Sequence, residues 1–151
     1  MSERQPDHER MAALYEALAI AQGMFEPIPK NCTVTIRPRE GTPYTFRYAD
    51  LEAIITGTRK GLSSNGLSIV QLVEPGVGTE YEPGKRYDVL ATKLLHRLGG
   101  MIEDRVDLPS PSAYADPKQY ASDRTYLRRY ARSSLLDVAA DDDLEIGRAH
   151  V

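Results

Sequence analysis

Between Gln119 and Leu136 two kinds of residue recur on a helical period, and together they limit how the segment can be placed. Arg124, Arg128 and Arg132 return every fourth residue as one cationic line, and Leu127, Ala131 and Leu135 form an apolar line beside it. A helix of this kind docks by one side and leaves the other to solvent or to a polyanion. Four arginines and three tyrosines fall in this one stretch, and Asp137, Asp141, Asp142, Asp143 and Glu145 follow it directly. Positive charge therefore ends where the helix does. A solvated amphipathic helix with snorkelling arginines fits the same pattern, so the rest of the chain has to decide.

The net charge of the 151 residues is −3, so attraction to nucleic acid must come from clustered Lys and Arg rather than from the net field. With 41% hydrophobic and 27% charged residues, the chain is sized for one domain with a core. A single cysteine, Cys32, excludes an internal disulfide and a cysteine-rich metal site, and the three histidines lack metal-binding spacing. That usage points to the cytoplasm. No stretch approaches the roughly 20 apolar residues of a membrane span, and the start from Met1 to Asp7 lacks the apolar core of a secretory signal.

Ahead of the arginine segment the periods alternate. Ala12, Leu14, Tyr15, Leu18, Ala19 and Gln22 predict a helix from Asp7 to Gln22, with Asp7 as N-cap and an end near Gly23. A proline-containing connector leads to a strand in which Cys32, Val34 and Ile36 alternate with polar residues, and a turn at Gly41-Thr42-Pro43 leads to a second strand, Tyr44 to Tyr48. Asp50 caps a helix that buries Leu51, Ile54, Ile55, Thr58 and Leu62 against the sheet, Asn65-Gly66 stops it, and Leu67 to Val73 returns as a strand. Glycines and prolines from Glu74 to Arg86 predict a long loop. Tyr87 to Arg97 and Met101 to Leu108 follow as strands, and Asp116 with Pro117 opens the arginine helix. Strands in runs, broken by helices, predict an α+β fold with helices on one face of the sheet.

The last two strands predict a hairpin with a three-residue loop and Gly100 at positive φ, which gathers Leu90, Thr92, Leu94, Ile102, Val106 and Leu108 on one face. Lys93, Arg97 and Arg105 fall with Glu103 on the other, Lys93 directly across from Arg105. Like charges paired across a ladder need solvent or an anion between them. This face is a second cationic candidate beside the helix, and a plain solvated face fits it equally.

The remaining chemistry is negative. No glycine-rich phosphate loop ending in Lys-Ser or Lys-Thr is present, no catalytic residue stands out, and no cofactor is implied. Asp141-Asp142-Asp143 reads as a solvated acidic tail, not a metal or nuclease cluster, because consecutive carboxylates diverge. Composition makes that tail a solubilising end; its closeness to the arginines also lets it act as a weak polyanion mimic. His96 reads as a strand polar residue, Tyr48 and Asp50 as packing and capping residues.

Tyr48-Ala49-Asp50-Leu51-Glu52-Ala53-Ile54-Ile55 and Gly61-Leu62-Ser63-Ser64-Asn65-Gly66-Leu67-Ser68-Ile69-Val70-Gln71 carry one part of a family pattern. Leu94-Leu95-His96 with Gly99, then Ser122, Thr125-Tyr126, Arg128-Arg129-Tyr130, Leu135-Leu136 and Asp141-Asp142-Asp143, carry the other. In order and spacing these resemble the ERF (essential recombination function) family of phage-type single-strand DNA annealing proteins, from Tyr44 to Asp143. Ala121, Asp123, Arg124 and Asp137 depart from it, standing where the family has small or apolar residues or glycine. Arg124 is therefore not carried over as a DNA contact.

The resemblance implies a curved, mainly antiparallel sheet and a long helix bounding a cationic groove, in the manner of the single-strand annealing superfamily core. It implies single-strand binding and annealing without nucleotide hydrolysis, in the cytoplasm of a phage-bearing host. The implied partners are single-stranded DNA, further copies of the chain in a homo-oligomeric ring or filament, and an exonuclease or host single-strand binding protein, with no membrane. Repetition would string one modest basic patch into a track along phosphate. The domain reading is 1–30 for the N-terminal helix and connector, 31–136 for the annealing core and 137–151 for a flexible acidic tail. The expected DNA contacts are Lys93, Arg97, Arg105, Tyr126, Arg128, Arg129, Tyr130 and Arg132, with no catalytic and no metal residue. A partner-binding adaptor that uses the Arg-Tyr helix, and a metal-dependent nuclease, are the rival classes.

Overall fold

Asp50 and Asp116 start two of the three helices by the same device, a side-chain oxygen that satisfies an orphan backbone donor. Ala53 N–H donates to Asp50 Oδ1 at 2.8 Å and Lys118 N–H to Asp116 Oδ1 at 2.9 Å. In the computed structural model, which describes residues 6–76 and 87–142, the elements run α1 (Asp7–Met24), β1 (Cys32–Ile36), β2 (Tyr44–Tyr48), α2 (Leu51–Ser64), β3 (Leu67–Pro75), β4 (Tyr87–His96), β5 (Met101–Pro109), a 3-10 turn (Pro111–Ala113) and α3 (Pro117–Leu136). The fold is α+β, as the periods predict, but the strands divide into two antiparallel sheets, β1-β2 and β3-β4-β5. The expected 74–86 loop starts later than predicted, because β3 continues through Pro75; residues 77–86 lie outside the described residues.

Two further expectations are corrected. Asp7 is the first helical residue of α1 and Pro6 the N-cap, with no side-chain cap; Asp7 instead pairs with Arg10 one turn on. The β4-β5 register is shifted by two residues. Lys93 faces Glu103 and Ala91 faces Arg105, so the like-charge pair does not form. A shift of two keeps each side chain on its predicted face and changes only its partner. The loop is Arg97-Leu98-Gly99: His96 N–H donates to the Gly100 carbonyl at 2.9 Å, and Gly99 N–H to the His96 carbonyl at 2.8 Å. Gly99, not Gly100, takes the positive φ of +100° that closes a three-residue hairpin. Gly100 is needed for a different reason, since a Cβ there would sit 2.6 Å from the Arg10 carbonyl of α1.

The main core joins Leu14, Ala17 and Ala21 of α1 to Leu62 of α2, Leu67 of β3, Leu94 of β4 and Leu136 of α3. Each fully buried leucine removes apolar surface worth about 1.5–3 kcal/mol. A smaller cluster of Ala49, Ile54 and Ala140, with Ile28 and Ala53 packed against it, joins the start of α2 to the segment after α3. α3 thus has the three-stranded sheet on one side, through Ala131, Leu135 and Leu136, and the ribbon on the other. That double placement positions the site.

Candidate nucleic-acid interface

Between α3 and the ribbon runs an open groove of about 1230 Å³. Ser122, Thr125, Tyr126, Arg129, Tyr130 and Ser133 line it from α3, with Val34, Phe46 and Tyr48 opposite. Helical spacing puts the α3 set on one face, and the two-residue period of β2 puts Phe46 and Tyr48 on one face of the ribbon. Tyr126 and Tyr130 are each 52% exposed, with ring centroids 5.5 Å apart and planes tilted by 36°. These are large apolar rings left open to water at a groove mouth.

Arg129 forms the groove floor and is only 8% exposed. Its guanidinium lies 4.7 Å from the Tyr48 ring centroid and 5.4 Å from that of Tyr126, and its Nη1 donates to Asp141 Oδ1 at 2.5 Å. A buried cation of this kind persists only when paired. The pairing comes from the start of the expected acidic tail. Asp137 ends α3 with a φ of +56°, and the chain then turns back along β2. Ala49 N–H donates to the Ala140 carbonyl at 2.7 Å and Asp142 N–H to the Arg47 carbonyl at 2.9 Å. Asp142 also accepts from Lys30 Nζ at 3.2 Å and from Arg47 N–H at 2.8 Å; this Arg47 backbone bond, then Lys30, holds its carboxyl below the usual range. Residues 137–142 are therefore a strap along one wall of the groove, while Asp143 lies outside the described residues.

The other expected contacts separate into two groups. Arg128 and Arg132 lie on the sheet side of α3. Arg128 Nε donates to Gln71 Oε1 at 3.4 Å and Arg132 Nη1 to the same oxygen at 3.5 Å. Burial, then Arg128 and Arg59, holds the Arg132 pKa below its ordinary value, and its Nε–H is buried with no partner. Lys93 and Arg105 sit on the outer face of the three-stranded sheet, tied to Glu74 at 3.3 and 3.0 Å, and Arg105 also to Glu103 at 2.8 Å. Arg97 is exposed in the β4-β5 loop, folded over Gly66. The structure brings Tyr126, Arg129 and Tyr130 together and leaves the others apart from them.

The sequence reads Tyr48 as a packing residue and gives no role to Phe46 or Gln71. Strand alternation marks the first two as one aromatic face; nothing in the sequence marks Gln71, whose role depends on where α3 crosses the sheet. Asp50 is the cap expected of it. His96, at the end of β4, accepts the Leu98 N–H at 3.4 Å, a turn role. Among the described residues no three His, Cys, Asp or Glu side chains gather in a way that could hold a metal, and no helix is long and apolar enough to cross a membrane.

The ERF superfamily model matches residues 14–146 of this chain. The chain belongs to that family. Membership points to phage-type single-strand annealing in recombination, by annealing proteins rather than hydrolytic enzymes. No curated protein and no solved structure matches the chain. Of the departures from the ERF pattern, Asp123 has a local role. Asp123 accepts from the Tyr114 hydroxyl at 2.7 Å and from Gln119 Nε2 at 2.8 Å, fixing the entry to α3. Burial, and then Asp123, pushes the Tyr114 pKa up to about 12. Ala121 lines the groove, Arg124 is exposed, and Asp137 occupies the left-handed turn where glycine is at no steric cost.

Proposed function

We propose that this chain binds single-stranded DNA along the groove between α3 and the β1-β2 ribbon and promotes annealing of complementary strands without nucleotide hydrolysis. The observation that carries the reading is the pair of half-exposed rings, Tyr126 and Tyr130, at the mouth of an open groove in an ERF-superfamily chain. Stacking on tyrosine tolerates any base, as a protein that accepts every sequence requires. Arg129 is part of the groove floor, holding the rings and the strap, and the half-buried Arg128 and Arg132 on the sheet side of α3, with exposed Arg97, add phosphate attraction outside the groove. Lys93 and Arg105 contribute little, because Glu74 and Glu103 already neutralise them. One protomer of net charge −3 attracts DNA weakly, so several copies in a ring or filament form the working unit. Its setting is a phage or prophage recombination pathway in a bacterial cytoplasm, beside an exonuclease or a host single-strand binding protein.

The test incubates the protein with labelled complementary oligonucleotides, with and without magnesium and with no nucleotide. Faster duplex formation in both conditions is expected, and the Tyr126→Ala/Tyr130→Ala double variant should lose it. Magnesium-dependent cleavage would make the chain a nuclease, and absence of any binding would leave the adaptor reading.

A further inference from the structure

We infer that Arg128 and Arg132, gathered on Gln71, form a phosphate-binding seat on the sheet side of α3, separate from the aromatic groove. The seat begins with Gln71, on the helix-facing side of β3. Its Nε2 donates to Thr92 Oγ1 and to the Arg128 carbonyl, both at 3.0 Å. Both amide hydrogens are thereby committed, and Oε1 is turned toward the two guanidiniums. It accepts from Arg128 and Arg132 at 3.4 and 3.5 Å, bonds long enough to orient the cations without satisfying them. The anchor is an amide, so it aims the positive charge and does not cancel it.

Nothing else described cancels it either. No carboxylate among the described residues pairs with Arg128 or Arg132, and Arg132 carries a buried Nε–H with no acceptor. A half-desolvated guanidinium beside two like charges is unfavourable until an anion arrives. Two guanidinium forks held side by side on one amide oxygen suit the acceptor oxygens of a phosphate, which planar N–H pairs bind bidentately. Neither arginine lines the aromatic groove, so the seat does not depend on base stacking there.

Calorimetric titration of the full chain with inorganic phosphate, and with an abasic oligonucleotide that has phosphates but no bases, tests this. Both should bind saturably. Arg132→Lys, which keeps the charge and loses the planar donor fork, should weaken both by about fivefold or more. Tyr126→Ala/Tyr130→Ala should leave phosphate binding unchanged even where it abolishes annealing, which separates this site from the groove. Tighter binding of a 5′-phosphorylated abasic chain than of its 5′-hydroxyl counterpart assigns the seat to a terminal phosphate, and equal binding assigns it to the internal backbone. Absence of saturable binding, no change in Arg132→Lys, or equally tight binding of a polyglutamate peptide would overturn the seat, the last in favour of an acidic protein partner.

Discussion

Two basic regions of this molecule have similar residues and opposite electrostatics. On the outer face of β3-β4-β5, Lys93 and Arg105 converge on Glu74, with Glu103 a second partner for Arg105. On the sheet side of α3, Arg128 and Arg132 converge on Gln71. One anchor is a carboxylate and the other an amide, three residues apart on the same strand. Among the described residues, carboxylates pair with the first region, and the second is held in shape without one. The count of Lys and Arg in a segment thus says little about charge available to a ligand. What decides is the residue the fold sets opposite each one.

The largest effect expected is on the groove. Tyr126→Ala/Tyr130→Ala should weaken single-strand binding by about fivefold or more for each ring removed, since base stacking on an aromatic side chain is worth about 1–3 kcal/mol. Retained affinity would move the site off the ribbon side of α3. Arg129→Met addresses stability instead. Removing one member of a buried pair costs about 3–5 kcal/mol, and because Asp141 stays partly exposed we expect about 1–3 kcal/mol in a denaturant titration. An unchanged midpoint would mean that Arg129 is free to serve as a contact.

Asp137→Gly sharpens the role of the strap. It removes the penalty of a left-handed non-glycine residue and a carboxylate at a helix C-terminus, and should add about 1 kcal/mol of stability. Single-strand affinity should not change.

The outer sheet face is expected to be nearly silent. Lys93→Ala/Arg105→Ala should change single-strand affinity by less than about threefold, as exposed and internally paired charges do. Glu74→Gln should tighten binding at low salt by freeing Lys93 and leaving Arg105 with Glu103 alone, and the gain should vanish at high salt. Acid should act in the same direction. Arg105 and then Lys93 hold the Glu74 carboxyl below its ordinary 4.5. A depressed carboxylate contributes stability above its unfolded value, and that contribution is lost as pH falls through the lower folded value. The acid limb of a stability profile below about pH 4.5 should therefore flatten in Glu74→Gln. An identical limb would show the face to be unpaired in solution.

Local signals carried much of this fold. Asp50 and the Asp116-Pro117 pair start their helices as chain chemistry demands, and strand alternation put Leu90, Thr92 and Leu94 on the buried face. Quantities set by distant contacts were not legible. The hairpin register depends on which glycine takes the positive φ, and Gly99 takes it because Gly100 is claimed by the close approach of α1. The division into two sheets and the return of 137–142 along β2 depend on α3 passing between ribbon and sheet. The Arg-Tyr helix announced itself at once as the place to look. Its three roles, open rings, buried clamp and amide-anchored guanidiniums, needed the partners Tyr48, Asp141 and Gln71, none near it in the sequence except Asp141.

The central claim is that single strands lie in the groove between α3 and the ribbon. Photocrosslinking with an oligonucleotide carrying 5-bromodeoxyuridine, followed by mass spectrometry of the adducts, reads this directly, because the reaction favours aromatic rings stacked on the base. Adducts on Tyr126 or Tyr130, with Tyr48 or Phe46 across the groove, are the predicted result. Adducts confined to the β4-β5 hairpin, with none on α3 or the ribbon, would contradict it.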